Sequence, residues 1–210
     1  VNAIVESFRA DGSVMNLADL QVEDIDFARM ASGLSKLARF NGTYDCPAYM
    51  VAQHSVVGAD ALHRETGNQI VAGYFLLHDG HEYLIGDQTR PALGLLGLFV
   101  ERAGGKATVL KKASAAMKQA LDAVIHRAAK LPPLAEFPDY ARLVAAMDER
   151  MLRAEALALF GTRAAEHLPP ATHPAPKLTG SLRPWGAAKA EEAFVDRLDR
   201  YLGIHLRAAP

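Results

Sequence analysis

The stretch that decides the reading of this chain is Leu77-His78-Asp79-Gly80-His81-Glu82-Tyr83-Leu84-Ile85-Gly86-Asp87-Gln88-Thr89-Arg90-Pro91. An apolar helical run (Ile70, Val71, Tyr74, Leu77) leads straight into it, so a helix delivers two adjacent metal-type ligands, His78 and Asp79, toward the core. Positions i, i+1 and i+4 of a helix share one broad sector. That gathers His78, Asp79 and Glu82 around a common point. A His-Asp dipeptide is also what an exposed, charged helix end looks like, so the test is whether the rest of the chain supplies partners in equally unusual places.

Working outward, residues 3 to 17 alternate loosely around Asp11-Gly12, a hairpin-turn dipeptide, and predict two short strands. Asp24 and Asp26 offer N-caps for a helix with Phe27, Met30, Leu34 and Leu37 on one face, ending near Asn41-Gly42. A second helix, about 48 to 64, carries Met50, Val51, His54, Val57, Gly58 and Ala61 on its stripe and breaks at Thr66-Gly67-Asn68. The passage from 86 to 108, rich in Gly and Leu, has no clear periodicity. Its dense apolar residues from Leu93 to Phe99 are expected to be buried in this chain or covered by another. Helices follow over 109 to 130, closed by Leu131-Pro132-Pro133, and over 139 to 160, closed by Gly161. Residues 167 to 184 read as a long surface loop, and a last helix presents Ala190, Phe194, Leu198 and Tyr201. The expected fold is all-α, a helical bundle with a small N-terminal β-hairpin. As one domain it divides into a β flap (1–22), a helical core (23–160), a loop (161–186) and a closing helix (187–205).

With 210 residues the chain can bury a real core. Lys plus Arg (23) nearly cancel Asp plus Glu (24), which leaves no global basic field for a nucleic-acid polymer and makes a free nucleotide the more natural partner. The longest apolar run, Ala92 to Val100, is far short of the ~20 residues that cross a bilayer. A single cysteine, Cys46, excludes an internal disulfide framework. With no signal peptide visible, a cytoplasmic location is expected.

Partners for His78 and Asp79 are present. His54 lies on the inward stripe of its helix, where an imidazole must satisfy two ring nitrogens; alone it reads as a hydrogen-bonded core histidine rather than a ligand. Asp148 is odder. Its stripe runs Tyr140, Val144, Met147, Asp148, Met151, so an acid sits among apolar neighbours and needs an Arg, a Lys or a metal. One divalent ion serves all four residues, and two imidazoles with two carboxylates suit Mn, Fe, Co, Ni or Zn.

These residues resemble the H…HD…D signature of the HD-domain phosphohydrolase superfamily. The block from His78-Asp79 through Glu82, Gly86-Asp87 and Pro91 is similar to that of the small bacterial 5′-deoxynucleotidases of the YfbR type. Arg39-Phe40-Asn41-Gly42 and Ala52-Gln53-His54-Ser55 resemble elements of a group that includes the phage dATP triphosphohydrolases of the DatZ type. The resemblance implies an HD-domain bundle with His54, His78, Asp79 and Asp148 as ligands of a divalent ion, Mg included. It implies Glu82 as an acid or base and Asp87 as a group orienting water or the leaving oxygen. By the same resemblance Arg39 binds phosphate and Phe40 walls the sugar; many relatives carry Trp at that position, which leaves the strictness for deoxyribose open. Lys112, with Lys111 and Arg90, is either a further phosphate contact or a solvated charge. His81 is a structural residue, an orienting donor or a phosphate contact. His63, His126, His167, His173 and His205 show no ligand spacing and read as surface residues.

The implied activity is hydrolysis at the 5′-phosphate end of a deoxynucleotide, either a monophosphate or a purine triphosphate such as dATP, by a homo-oligomer in a bacterial or phage-infected cell. Alternatives are hydrolysis of another nucleotide, a cyclic dinucleotide or a nucleotide analogue, and a nucleotide sensor without catalysis.

Overall fold

The computed structural model describes residues 3–206. Strands β1 (Glu6–Phe8) and β2 (Val14–Asn16) pair antiparallel, with Ser7 opposite Met15. Their turn is fixed by Asp11, whose carboxylate accepts from the backbone N–H and hydroxyl of Ser13, and by Gly12 at φ +84°. Met15 and Leu20 anchor this hairpin on Leu121 and Val124 of a later helix.

Helix α1 (Phe27–Leu34) starts on Asp26, which caps the N–H groups of Ala28 and Arg29. It stops at Leu34, seven residues before the Asn41-Gly42 signal. The chain is pulled away by pairing with the segment before the next helix: Arg39 N donates to Tyr49 O at 2.9 Å and Val51 N to Leu37 O at 2.9 Å. A 3-10 turn over Arg39–Gly42 follows, with Phe40, Asn41 and Gly42 all in the left-handed region (φ +53°, +55°, +65°). Such backbone is costly for Phe and persists only where the surroundings hold it.

Helices α2 (Val51–Thr66) and α3 (Gln69–Leu77) are joined by Gly67, left-handed at φ +65°, and by Asn68, which caps α3. The short link makes them antiparallel neighbours. Every residue of α3 from Val71 to Leu77 is buried, so this helix is apolar all round and central. Around it pack α2, α6 (Ala107–Ala128), α7 (Pro138–Phe160) and α9 (Ala187–Leu202). Between α3 and α6 come the one-turn α4 (Glu82–Ile85) and α5 (Arg90–Arg102); α8 (Thr162–Ala165) is a single turn at the start of the long loop.

The passage without clear periodicity is therefore helical. Thr89 caps α5 and Pro91 sits in its first turn. It packs along α6, yet Leu95, Leu96, Leu98 and Phe99 remain exposed, so this chain does not bury its own leucine-rich passage. The long loop is tied to the bundle by Gln53, whose side chain donates to Arg183 O and accepts from Trp185 N, both at 2.8 Å. No helix among the described residues is long and apolar enough to cross a membrane.

Candidate metal centre

Helix α3 ends at Leu77 rather than carrying on through the His-Asp pair. Its last turn tightens, with Gly80 N donating to Leu77 O at 2.8 Å, and a Cβ on Gly80 would lie 2.9 Å from that carbonyl. His78 and Asp79 are presented by this turn, and Glu82 opens α4. Asp148 comes from the middle of α7 and His54 from the first turn of α2. Four residues from three parts of the chain thereby meet.

The His54 Nε2 and His78 Nε2 atoms lie 3.2 Å apart. Asp148 Oδ1 is 3.4 Å from the first and 3.7 Å from the second. Asp79 Oδ2 is 3.2 Å from His78 Nε2 and 3.8 Å from His54 Nε2. Donors around an ion at ~2.1 Å are roughly 3.0 Å apart at right angles and roughly 3.4 Å apart at a tetrahedral angle. The separations among His54, His78 and Asp148 suit one divalent ion, while Asp79 stands close to both imidazoles and also has a donor atom within 4.8 Å of those of His81 and Glu82. The ring chemistry agrees. His54 Nδ1 donates to Glu155 Oε1 and His78 Nδ1 to Phe75 O, each at 2.6 Å, and neither partner has a proton to give back. In the neutral tautomer that these contacts select, both Nε2 lone pairs face carboxylate oxygens, a set of acceptors that a proton or a cation completes.

Electrostatics describe the same competition. Burial opposes charge at both histidines, and Arg39 opposes it at His54. The carboxylates outweigh these effects, so the pKa of His54 is raised and that of His78 lies well above the usual imidazole value. Burial alone would raise Asp79 and Asp148, but the imidazoles hold both below the ordinary carboxylate range. Ion binding must displace these protons, so affinity will fall as pH falls.

Beside the donors opens a cavity of about 590 Å³. Asp79, Glu82, Asp87 and Asp148 line one side, Arg39, Arg90 and Lys118 bring positive charge, and Phe40, Leu152 and Phe160 bring apolar surface. Glu82 is pushed up to about 9 by burial and by the charges on Asp79 and Asp87, and one of its oxygens has no hydrogen-bond partner. Asp87 is raised as well, through burial. Phe40 packs edge-on against Phe160 at 5.4 Å, held by its strained turn. A second cavity of about 450 Å³ adjoins the first, sharing Arg90, Leu152, Leu168 and Pro169; Leu157 and the loop from Leu168 to Pro176 complete it.

Arg39 lines the cavity, but it is not free. Its Nε donates to Glu155 Oε2 at 2.9 Å and its Nη1 approaches Asp79 Oδ2 at 3.4 Å. Lys112 is exposed and does not line the cavity; Lys118, on another face of α6, does. His81 is buried outside the cavity lining and donates from Nδ1 to Asp122 Oδ1 at 2.8 Å, while its donor atom also stands within 4.8 Å of those of Asp79 and Glu82. His126 is buried against Tyr74 rather than on the surface. Two acids at the site are not found by sequence reasoning. Asp122 gives no signal on an exposed-looking face, whereas Glu155 follows Asp148 by two helical turns on the same stripe and carries the same sign of an acid among apolar neighbours.

No model of a known protein family matches the chain. Over 156 residues, 71% of this chain and 76% of the relative, it is 30% identical to an uncharacterized protein of Rhodobacter capsulatus. With 30% identity across 76% of that relative's length, the chain belongs to the same family as the Rhodobacter capsulatus protein.

Proposed function

We propose that the chain is an HD-domain, metal-dependent phosphohydrolase that acts at the 5′-phosphate end of a deoxynucleotide. The observation that carries this reading is the convergence of His54, His78 and Asp148, with Asp79 close to both imidazoles, beside a cavity that Asp79 and Asp148 line together with Arg39, Arg90 and Lys118. These four residues would hold the divalent ion, which when bound supplies Lewis-acid activation of water and neutralises phosphoryl charge. Arg39 offers its remaining N–H groups to phosphoryl oxygens, and Lys118 and Arg90 add charge along the wall, where a polyphosphate tail would lie. Glu82 keeps a proton at neutral pH. As water's oxygen bonds to phosphorus and the P–O ester bond breaks, Glu82 would give its proton to the leaving oxygen and be reprotonated by the proton the attacking water sheds, with Asp87 beside it to orient that water. The apolar surfaces of Phe40, Phe160 and Leu152 suit sugar and base, and both cavities have the size of small-ligand sites.

The test is turnover by the metal-stripped chain reloaded with Mn, Co or Zn in turn, offered dAMP, dATP, AMP and a cyclic dinucleotide, with phosphate and triphosphate read separately. The expected result is cleavage of a deoxynucleotide, to phosphate from dAMP or triphosphate from dATP. Asp148→Asn should lower both ion uptake and turnover by more than roughly 100-fold, beyond what residues that merely orient a ligand contribute. One ion per chain with no product over hours would leave a nucleotide sensor instead, and no ion at all would remove the reading.

A further inference from the structure

We propose that Glu155 is a positioning residue that sets the ion-binding and anion-binding halves of the site together. The inference rests on the reading above and adds to it a residue that touches neither ion nor substrate. Its side chain is wholly buried (0% exposed) on α7, two turns beyond Asp148. One oxygen accepts the Nδ1–H of His54 at 2.6 Å and the other the Nε–H of Arg39 at 2.9 Å. Arg39 Nη1 in turn reaches Asp79 Oδ2 at 3.4 Å, so the contacts close a circuit from Glu155 through His54, the donor cluster, Asp79 and Arg39 back to Glu155.

Both partners of Glu155 are donors, and that makes the carboxylate hard to replace. A glutamine turns its amide N–H₂ toward one of the two donors and satisfies only the other; an aspartate is one carbon short of spanning them. Losing the His54 contact frees the imidazole to place its proton on Nε2, the atom that faces the donor cluster. Losing the Arg39 contact lets the guanidinium drift from the cavity wall. An ordinary buried ion pair would contribute to stability alone; a positioning carboxylate acts on two separate binding events.

The experiment compares wild type, Glu155→Gln and Glu65→Gln, the last removing a carboxylate that pairs with Arg150 and lines neither cavity. Mn affinity is measured by calorimetry on stripped protein, and inorganic phosphate affinity on Mn-saturated protein. Glu155→Gln is expected to weaken Mn binding ~10–100-fold and phosphate binding at least about tenfold, as for one lost charge-assisted hydrogen bond. Glu65→Gln is expected to change thermal stability and neither affinity. A wild type that binds Mn together with a Glu155→Gln protein of unchanged affinities overturns this inference alone; a wild type that takes up no ion overturns the proposed function with it. Should Glu155→Gln fail to fold, imidazole ¹⁵N shifts of the Zn-loaded wild type decide. A proton on Nδ1 of His54 supports the inference, and ligation through Nδ1 overturns it.

Discussion

Gly58 connects core packing to the donor cluster through one aromatic ring. A Cβ there would lie 2.1 Å from Cε1 and 2.4 Å from Cζ of Phe75, whose ring lies against His78 with centroids 4.3 Å apart. Alanine would gain about 1 kcal/mol in helix propensity, but overpacking a dense core typically costs ~1–3 kcal/mol, and so close an approach belongs at the upper end. Gly58→Ala should therefore lower stability by a net ~1–2 kcal/mol and weaken Mn binding as Phe75 displaces His78. Gly73 is the control. Its Cβ would meet the end of the Leu202 side chain at 2.4 Å, on a half-buried residue at the end of α9 that can move aside. Urea melts with and without Mn would show it: a Gly73→Ala protein less stable than Gly58→Ala contradicts this account. At this scale the sequence is most legible where a residue type is out of place. Asp148 among apolar neighbours is such a case, whereas the Arg39 that pairs with Glu155 is 116 positions away from it and no local pattern links the two.

Helix α7 works as a rail. Asp148 and Leu152 line the cavity beside the donors, Arg153 and Leu157 reach the second cavity, and Glu155 faces inward between them. If phosphate lies at the Asp148 end, the nucleoside extends along α7 toward Leu157 and the proline-rich loop, which Arg150 and Arg153 fasten by donating to the carbonyls of Pro174, Ala175 and Pro169. Leu157→Trp would fill that second cavity. The expected outcome is a nucleotide KM raised about tenfold, equivalent to losing one well-packed group, with turnover of a small phosphoester such as p-nitrophenyl phosphate unchanged. Equal losses on both substrates would show that Leu157 acts on the fold instead. Element boundaries were legible where a cap or breaker does the work, at Gly67, Asn68 and Gly161. They were not legible between residues 35 and 42. There, pairing of the chain with the segment before α2 ends α1 early, one residue after Gly33, a poor helix former that lies inside the expected helix.

Over the whole molecule, charge acts through a few half-buried pairs, because the formal net charge is only −1. Asp60 on α2 accepts from Arg197 Nη2 at 2.8 Å and from the Tyr201 hydroxyl at 2.6 Å, so it fastens α9 to α2 with residues that line neither cavity. Only 20% of the Asp60 side chain and 23% of Arg197 are exposed, so solvent screens the pair incompletely. Burial would raise the Asp60 pKa, but Arg197 and Tyr201 outweigh it and hold the carboxyl below its ordinary value. For a group depressed in the folded state, the added stability is complete above the unfolded pKa of ~3.9 and drains away as pH falls through the folded value. Asp60→Asn should therefore cost about 1–3 kcal/mol at pH 7, the range of hydrogen bonds to a charged group. Below roughly pH 4 the wild type loses the same contribution and the two proteins should converge. Thermal melts of metal-free protein from pH 7 downward measure the gap directly. A gap that stays constant into the acid range would mean that Asp60 fastens the helices through packing rather than charge.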